Sequence, residues 1–274
     1  MFERLQTIDR RIIYLLLILV IALALLKPIG LPVKVGDNTK AMFNAIDALP
    51  PGSVLWIGMD LGVSTKAEQY PMVTALLNHA FQKNLKVVAF AMWTQGGQIF
   101  QQLVTPVAKK YNKQEGVDYL NIGYKPGNEM ALRAMVSDIN TGAAGVDQNG
   151  KPLSSSPLGQ QVKKLTAEYV NFIVDVAAGD PGTTAYLQYV STPEKIPMAP
   201  AVVNVSVPSE MPYVQSGQYK GMMGGLRGAA EYEILAKAPG AAAAGMDSQS
   251  LGAALIVLFI IFGNIGYLAS RSKK

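Results

Sequence analysis

Four groups of polar residues follow short apolar runs in this chain, and they are the side chains best placed to do chemistry. They are Asp60 and Ser64; Thr94, Gln95, Gly96 and Gly97; Tyr124, Lys125 and Asn128; and Asp180, Thr183 and Thr184. In an open parallel sheet, ligands bind outside the carboxyl ends of the strands, where the strand order reverses. Backbone amides at the helix starts there can also hold an anion. A small-ligand site is therefore expected among Asp60, Ser64, Thr94, Gln95, Tyr124, Asn128, Asp180 and Thr183. Turn chemistry alone selects Gly, Asp, Asn, Ser and Thr at such places, so their positions carry more weight than their types.

The other reactive side chains are few. There is no cysteine, which excludes disulfides, thiolate metal sites and cysteine nucleophiles. The single histidine, His79, excludes a multi-histidine metal site within one chain. It falls beside the polar residues Thr74, Asn78 and Gln82 and reads as a surface residue. No Ser–His–carboxylate arrangement is recognisable. Asp175 interrupts an apolar run, which suggests a hydrogen-bonding role at a sheet end or edge. No catalytic residue, metal site or cofactor is expected.

These residues need a scaffold. Apolar, β-rich runs at 53–59, 86–92, 117–123, 171–177 and 201–206 read as five strands. Several are apolar at consecutive positions, as strands covered on both faces are. Between them, helical segments are expected at 38–49, 71–84, 97–112, 128–140 and 182–190, with one or two helices over 210–237. Pro71 suits a first helical turn, and Pro106 is expected to kink or split its helix. The alternation predicts an α/β fold with a doubly wound, mainly parallel sheet of about five strands. Residues 141–159, rich in Gly, Ser, Pro, Asn and Asp, read as a long surface loop, either a lid or a mobile excursion. The glycine-dense stretch 217–228 lacks the strand–GxGxxG–helix context of a dinucleotide loop. It reads as a close-packing surface, within the domain or against another subunit.

The scaffold is flanked by membrane signals. Residues 251–269 carry no charge and as a helix would extend about 28 Å, close to the hydrocarbon thickness of a bilayer. Near the other end, residues 12–26 are uninterruptedly apolar, and Lys27 can snorkel so that the segment extends to Val33. A signal anchor is expected there over a cleaved signal peptide, because Ala22-Leu23-Ala24 lies inside the apolar run. Arg4, Arg10, Arg11, Arg271, Lys273 and Lys274 account for most of the net charge of +5, leaving the rest of the chain near neutral. That excess is a topology signal, placing both ends in the cytoplasm, and not a nucleic-acid footprint. The expected organisation is a cytoplasmic tail (1–11), a first transmembrane helix (12–33), an extracytoplasmic α/β domain (34–237), a tether (238–250), a second transmembrane helix (251–269) and a short cytoplasmic tail (270–274). Gly263, Asn264 and Gly266 are the expected helix-contact residues of the second span.

Two resemblances bear on function. Residues 56–65 resemble the first phosphate loop of the actin and heat-shock-70 ATPase superfamily, where a strand ends in Asp-x-Gly followed by Ser/Thr. Asp180-Pro-Gly-Thr-Thr184 could pose as the second phosphate loop. That superfamily continues its first strand into a β-hairpin, whereas a helix is expected here, and this chain is too short for its two lobes. Residues 120–128 (LNIGYKPGN) and 224–233 (GGLRGAAEYE) are similar to an uncharacterised prokaryotic family of two-span membrane proteins with an extracytoplasmic Rossmann-like domain. That resemblance implies the architecture and no activity. The leading expectation is a non-enzymatic membrane-anchored subunit or scaffold of a membrane protein complex. Its partners would be the lipid bilayer and a membrane protein or further copies of the chain, with no nucleic acid. The alternatives are an extracytoplasmic small-ligand-binding module coupled to a membrane partner, and a hydrolase or transferase.

Overall fold

The computed structural model describes residues 9–27 and 29–271 and divides the chain into two compact units, residues 1–33 with 243–274, and residues 34–242. Arg4, Lys273 and Lys274 of the expected topology signal lie outside the described residues.

The first unit is built from helix α1 (Arg10–Leu26) and most of helix α12 (Ala241–Arg271). Its residues are Leu, Ile, Val, Ala and Phe on nearly every side, and most of them are exposed. A helix apolar all round belongs in a core or a bilayer. One helix among the described residues is long and apolar enough to cross a membrane, over Ala241–Leu268. The expected tether is thus largely helical: α12 begins at Ala241 and runs unbroken through 251–269. At the other end the helix stops at Leu26, and residues 29–36 are not helical. The 17 residues of α1 correspond to about 26 Å, short of the 12–33 segment expected. The Asp247 carboxylate binds the extended stretch that follows, accepting from the N–H groups of Ile29, Gly30 and Leu31 at 2.8–2.9 Å. The two helices meet at Gly252, where a Cβ would fit in ordinary van der Waals contact, 3.6 Å from Ile21. Gly263 and Asn264 are exposed and Gly266 is buried.

The second unit is an α/β domain on a six-stranded, all-parallel sheet of order β3-β2-β1-β4-β5-β6. In chain order it contains α2 (Asp37–Asp47), β1 (Val54–Asp60), α3 (Lys66–Gln82), β2 (Lys86–Ala91), α4 (Gly96–Lys110), β3 (Tyr119–Tyr124), α5 (Glu129–Ser137), α6 (Ile139–Gly142) and α7 (Pro157–Gln161). It continues with β4 (Phe172–Ala177), α8 (Thr183–Tyr186) and a wide turn into α9 (Thr192–Glu194), then β5 (Met198–Val202), α10 (Val207–Gln215), β6 (Met223–Gly224) and α11 (Gly225–Leu235). β1 and β4 are buried at every position, as helix cover on both faces requires.

Alternation along β1 sorts the core into two layers. Val54, Trp56, Phe90, Leu120, Ile122 and Ile173 form one layer, packed under α5 to α9 through Leu132, Met135, Leu158, Tyr186 and Val190. The opposite face carries α3, which packs on β2, β4 and β5 and against α4 and α11. Pro71 and Pro106 lie inside continuous helices, so neither starts nor splits its helix as expected.

Three expectations change. The sheet has six strands, because Met223–Gly224 in the glycine-dense stretch pairs with Ala201 and Val202 of β5. β5 lies three residues earlier than the expected 201–206 and includes Pro200. Residues 141–159 are ordered: Val146 pairs with Pro152, and Ala143, Leu153 and Leu158 are buried in the core. The glycine-dense stretch packs within the domain. A Cβ at Gly221 (φ +112°) would lie 2.4 Å from Asn38 O and Met42 N, and one at Gly224 2.5 Å from Val207.

Candidate functional site

Strand order reverses between β1 and β4, so the crevice of such a sheet falls at their carboxyl ends. Here that crevice is roofed. Trp93, from the turn after β2, donates its Nε1–H to the Pro181 carbonyl at 2.9 Å, in the turn after β4. Beneath this roof lie two acids. Asp60 ends β1 and Asp175 sits in β4, on the same face of neighbouring strands, with Gly58 paired to Asp175 and Asp60 to Ala177. Gly58 makes the space: a Cβ there would be 2.2 Å from Asp175 Oδ1 and 2.7 Å from the Tyr186 ring.

Asp60 and Asp175 are both 0% exposed. Asp60 Oδ1 accepts from the Met92 N–H at 2.6 Å. Asp60 Oδ2 and both Asp175 oxygens meet no donor among the described residues. Burial in low dielectric disfavours a charged carboxylate, and a like charge nearby does so again. Burial accordingly pushes the Asp60 carboxyl up to about 7, against the opposing pull of the Met92 N–H. Burial, then the Asp60 charge, raise Asp175 well above the carboxylate range. The pair is satisfied when Asp175 keeps its proton and donates it to Asp60. Burial, followed by the charges of both acids, raises the Tyr186 hydroxyl, which accepts from Trp56 Nε1 at 3.2 Å.

One strand further on, the sheet end opens. A cavity of about 220 Å³ lies between the turns after β4 and β5, lined by residues that include Asp180, Thr183, Thr184, Ser206, Ser209, Glu210 and Tyr213. Glu210, in the first turn of α10, is buried and accepts from Tyr219 Oη at 3.0 Å. Burial, then the Glu210 charge, raise the Tyr219 hydroxyl, which keeps it a donor. Asp175 is close behind: its Oδ2 would be 3.6 Å from a Cβ on Gly182, the residue before Thr183.

Of the eight expected site residues, Asp180 and Thr183 line this cavity. Asp60 belongs to the sealed acid pair. Ser64 is exposed in the turn after β1, and Thr94 is exposed beyond Trp93. Gln95 accepts from the Val63 N–H at 3.0 Å and ties these two turns together. Tyr124 and Asn128 lie at the end of β3, away from the cavity. On that side the strand ends are filled by Gln148, whose side chain occupies the space a Cβ would need at Gly97 (2.3 Å) and Gly123 (1.8 Å). The segment expected as a loose loop is therefore a plug.

Glu210, Ser206, Ser209 and Tyr213 escape the sequence reading because β5 is displaced. With the strand at 198–202, residues 203–206 form its βα turn, and Ser209, Glu210 and Tyr213 follow on α10. His79 is also corrected: it is 2% exposed. It stacks on Phe43 at 4.3 Å, meets Tyr232 Oη at 2.8 Å through Nδ1 and faces Asp47 at 3.3 Å through Nε2. α2, α3 and α11 are pinned together there.

Helix α3 follows β1 where the actin-like ATPases have a β-hairpin, so the likeness to their phosphate loop stops at the strand end. No three of the Asp, Glu and His side chains converge as a metal-holding group among the described residues. Comparison with known protein families, curated proteins and solved structures finds no match.

Proposed function

We propose that this chain is a membrane-anchored binding subunit: its α/β domain holds a small polar ligand, and its apolar helices attach it to the bilayer and to a membrane partner. The observation that carries this reading is the cavity at the ends of β4 and β5, with buried Glu210 and Thr183 turned to a space of about 220 Å³. It lies one strand from the β1–β4 switch point at which doubly wound sheets place their ligands, and it is the open part of a rim otherwise roofed by Trp93 and plugged by Gln148. The likeness to two-span prokaryotic membrane proteins and the basic terminal residues support an extracytoplasmic domain with cytoplasmic ends.

The test is a thermal-shift screen of the full-length protein in lipid nanodiscs against amino acids, amines, polyols, monosaccharides and phosphate, run beside Ser209→Trp. Ser209 is exposed on the cavity rim, so the indole fills the space without entering the core. Compounds that stabilise the parent and not the variant are expected. A screen in which the two proteins respond alike removes the cavity as the site.

A scaffold role for the helices rests on a separate observation. Asn264 is exposed within a helix of membrane-spanning length, and among the described residues its amide donates only to the Ile260 carbonyl one turn back. A polar side chain at that depth favours a partner helix.

A further inference from the structure

The chemistry around the cavity narrows its ligand, taking the binding role proposed above as the starting point. Its lining supplies two carboxylates, Asp180 and Glu210, and a set of hydroxyls from Thr183, Thr184, Ser206, Ser209 and Tyr213. Among the described residues no lysine, arginine or histidine lines it. Neither carboxylate joins an ion pair among the described residues. Glu210 has one hydrogen bond there, from the neutral Tyr219 hydroxyl. The charge at this end of the sheet comes from the two lining carboxylates, and such a cleft focuses its field on a cationic ligand. The hydroxyls add acceptors at several distances, which suits a group with more than one N–H.

We infer that the ligand of this cavity is a small organic cation carrying a primary or secondary ammonium group, held by Glu210 and Asp180. No three acids converge there as a metal-ligand set among the described residues, whereas an ammonium donates to two or three well-spaced acceptors. The volume of about 220 Å³ equals roughly seven water volumes, room for a short amine or diamine.

The full-length protein in nanodiscs is titrated by calorimetry with putrescine and ethanolamine, beside glycerol, inorganic phosphate and magnesium chloride. The amines are expected to bind, and Glu210→Gln and Asp180→Asn each to weaken them by about tenfold or more. Asp118→Asn, at the amino end of β3, should leave binding unchanged. Gln at 210 can still accept from Tyr219; if that variant melts early, Asp180→Asn on the exposed rim carries the comparison. Absence of amine binding overturns the inference, and so does binding of magnesium alone. Glycerol or phosphate binding that Ser209→Trp abolishes would overturn the ammonium assignment while leaving the binding role standing. Amine binding untouched by Ser209→Trp would remove the site itself.

Discussion

At the scale of single residues, the Asp60–Asp175 pair dominates. A buried acid whose pKa is raised binds a proton in the folded state that it has lost in the unfolded chain. Stability then falls as pH rises from the unfolded value near 4 through the folded value, and is flat above it. For Asp60 the upper end of that window is about 7, and the Asp175 shift is in the same direction. His79 acts in the opposite sense. Burial lowers its pKa, so its contribution is lost as pH falls below the unfolded histidine value of about 6.5. Urea denaturation of the parent and of Asp175→Asn across pH 4.5 to 8 separates the two. The parent should lose stability relative to the variant by about 1 kcal/mol per pH unit within the window. Parallel curves would show that the pair does not share a proton. Asp175 was visible in the sequence as an interruption of an apolar run; its partner was not, because Asp60 looks like an ordinary strand-end turn residue.

At the scale of elements, the glycine-dense stretch shows how packing assigns a role that composition leaves open. Gly217 (φ +78°) has open space where a Cβ would go, whereas Gly221 (φ +112°) meets the backbone of α2. Both backbones are in a region L-residues avoid. Gly217→Ala should cost about 1 kcal/mol, and Gly221→Ala about 3 kcal/mol or more, since backbone must move as well. Thermal melts that rank the two equally would contradict the close approach of α2. The same stretch supplies β6, two residues that no periodicity could announce. Strand β5 contains Pro200, a residue that strands paired on both sides exclude. It is tolerated where the neighbouring β6 is so short that it pairs only with Ala201 and Val202.

At the scale of the whole molecule, the proposed topology makes a direct prediction. The chain has no native cysteine, so single cysteines report without background. In intact cells, a membrane-impermeant maleimide should label Ser216→Cys in the α/β domain, and should label Thr7→Cys and Ser272→Cys only after permeabilisation. Labelling of either terminal cysteine in intact cells would reverse the orientation or break the two-span reading.

The sequence by itself determined what is local. Runs of consecutive apolar residues made strands and helices, an uncharged stretch beyond residue 250 made a helix fit for a bilayer, and terminal Arg and Lys carried the charge. Such signals survive in one dimension because burial of a periodic apolar face dictates them residue by residue. Only the tertiary structure decided which strand ends stay open. β1 and β4 are neighbours although Val54 and Asn171, bonded across them, are 117 positions apart. That pairing buries Asp60 against Asp175, brings Trp93 over Pro181 and lets Gln148 fill the far side. Long-range packing chose which polar turns would face water, and it left Asp180, Thr183 and Glu210 around the cavity.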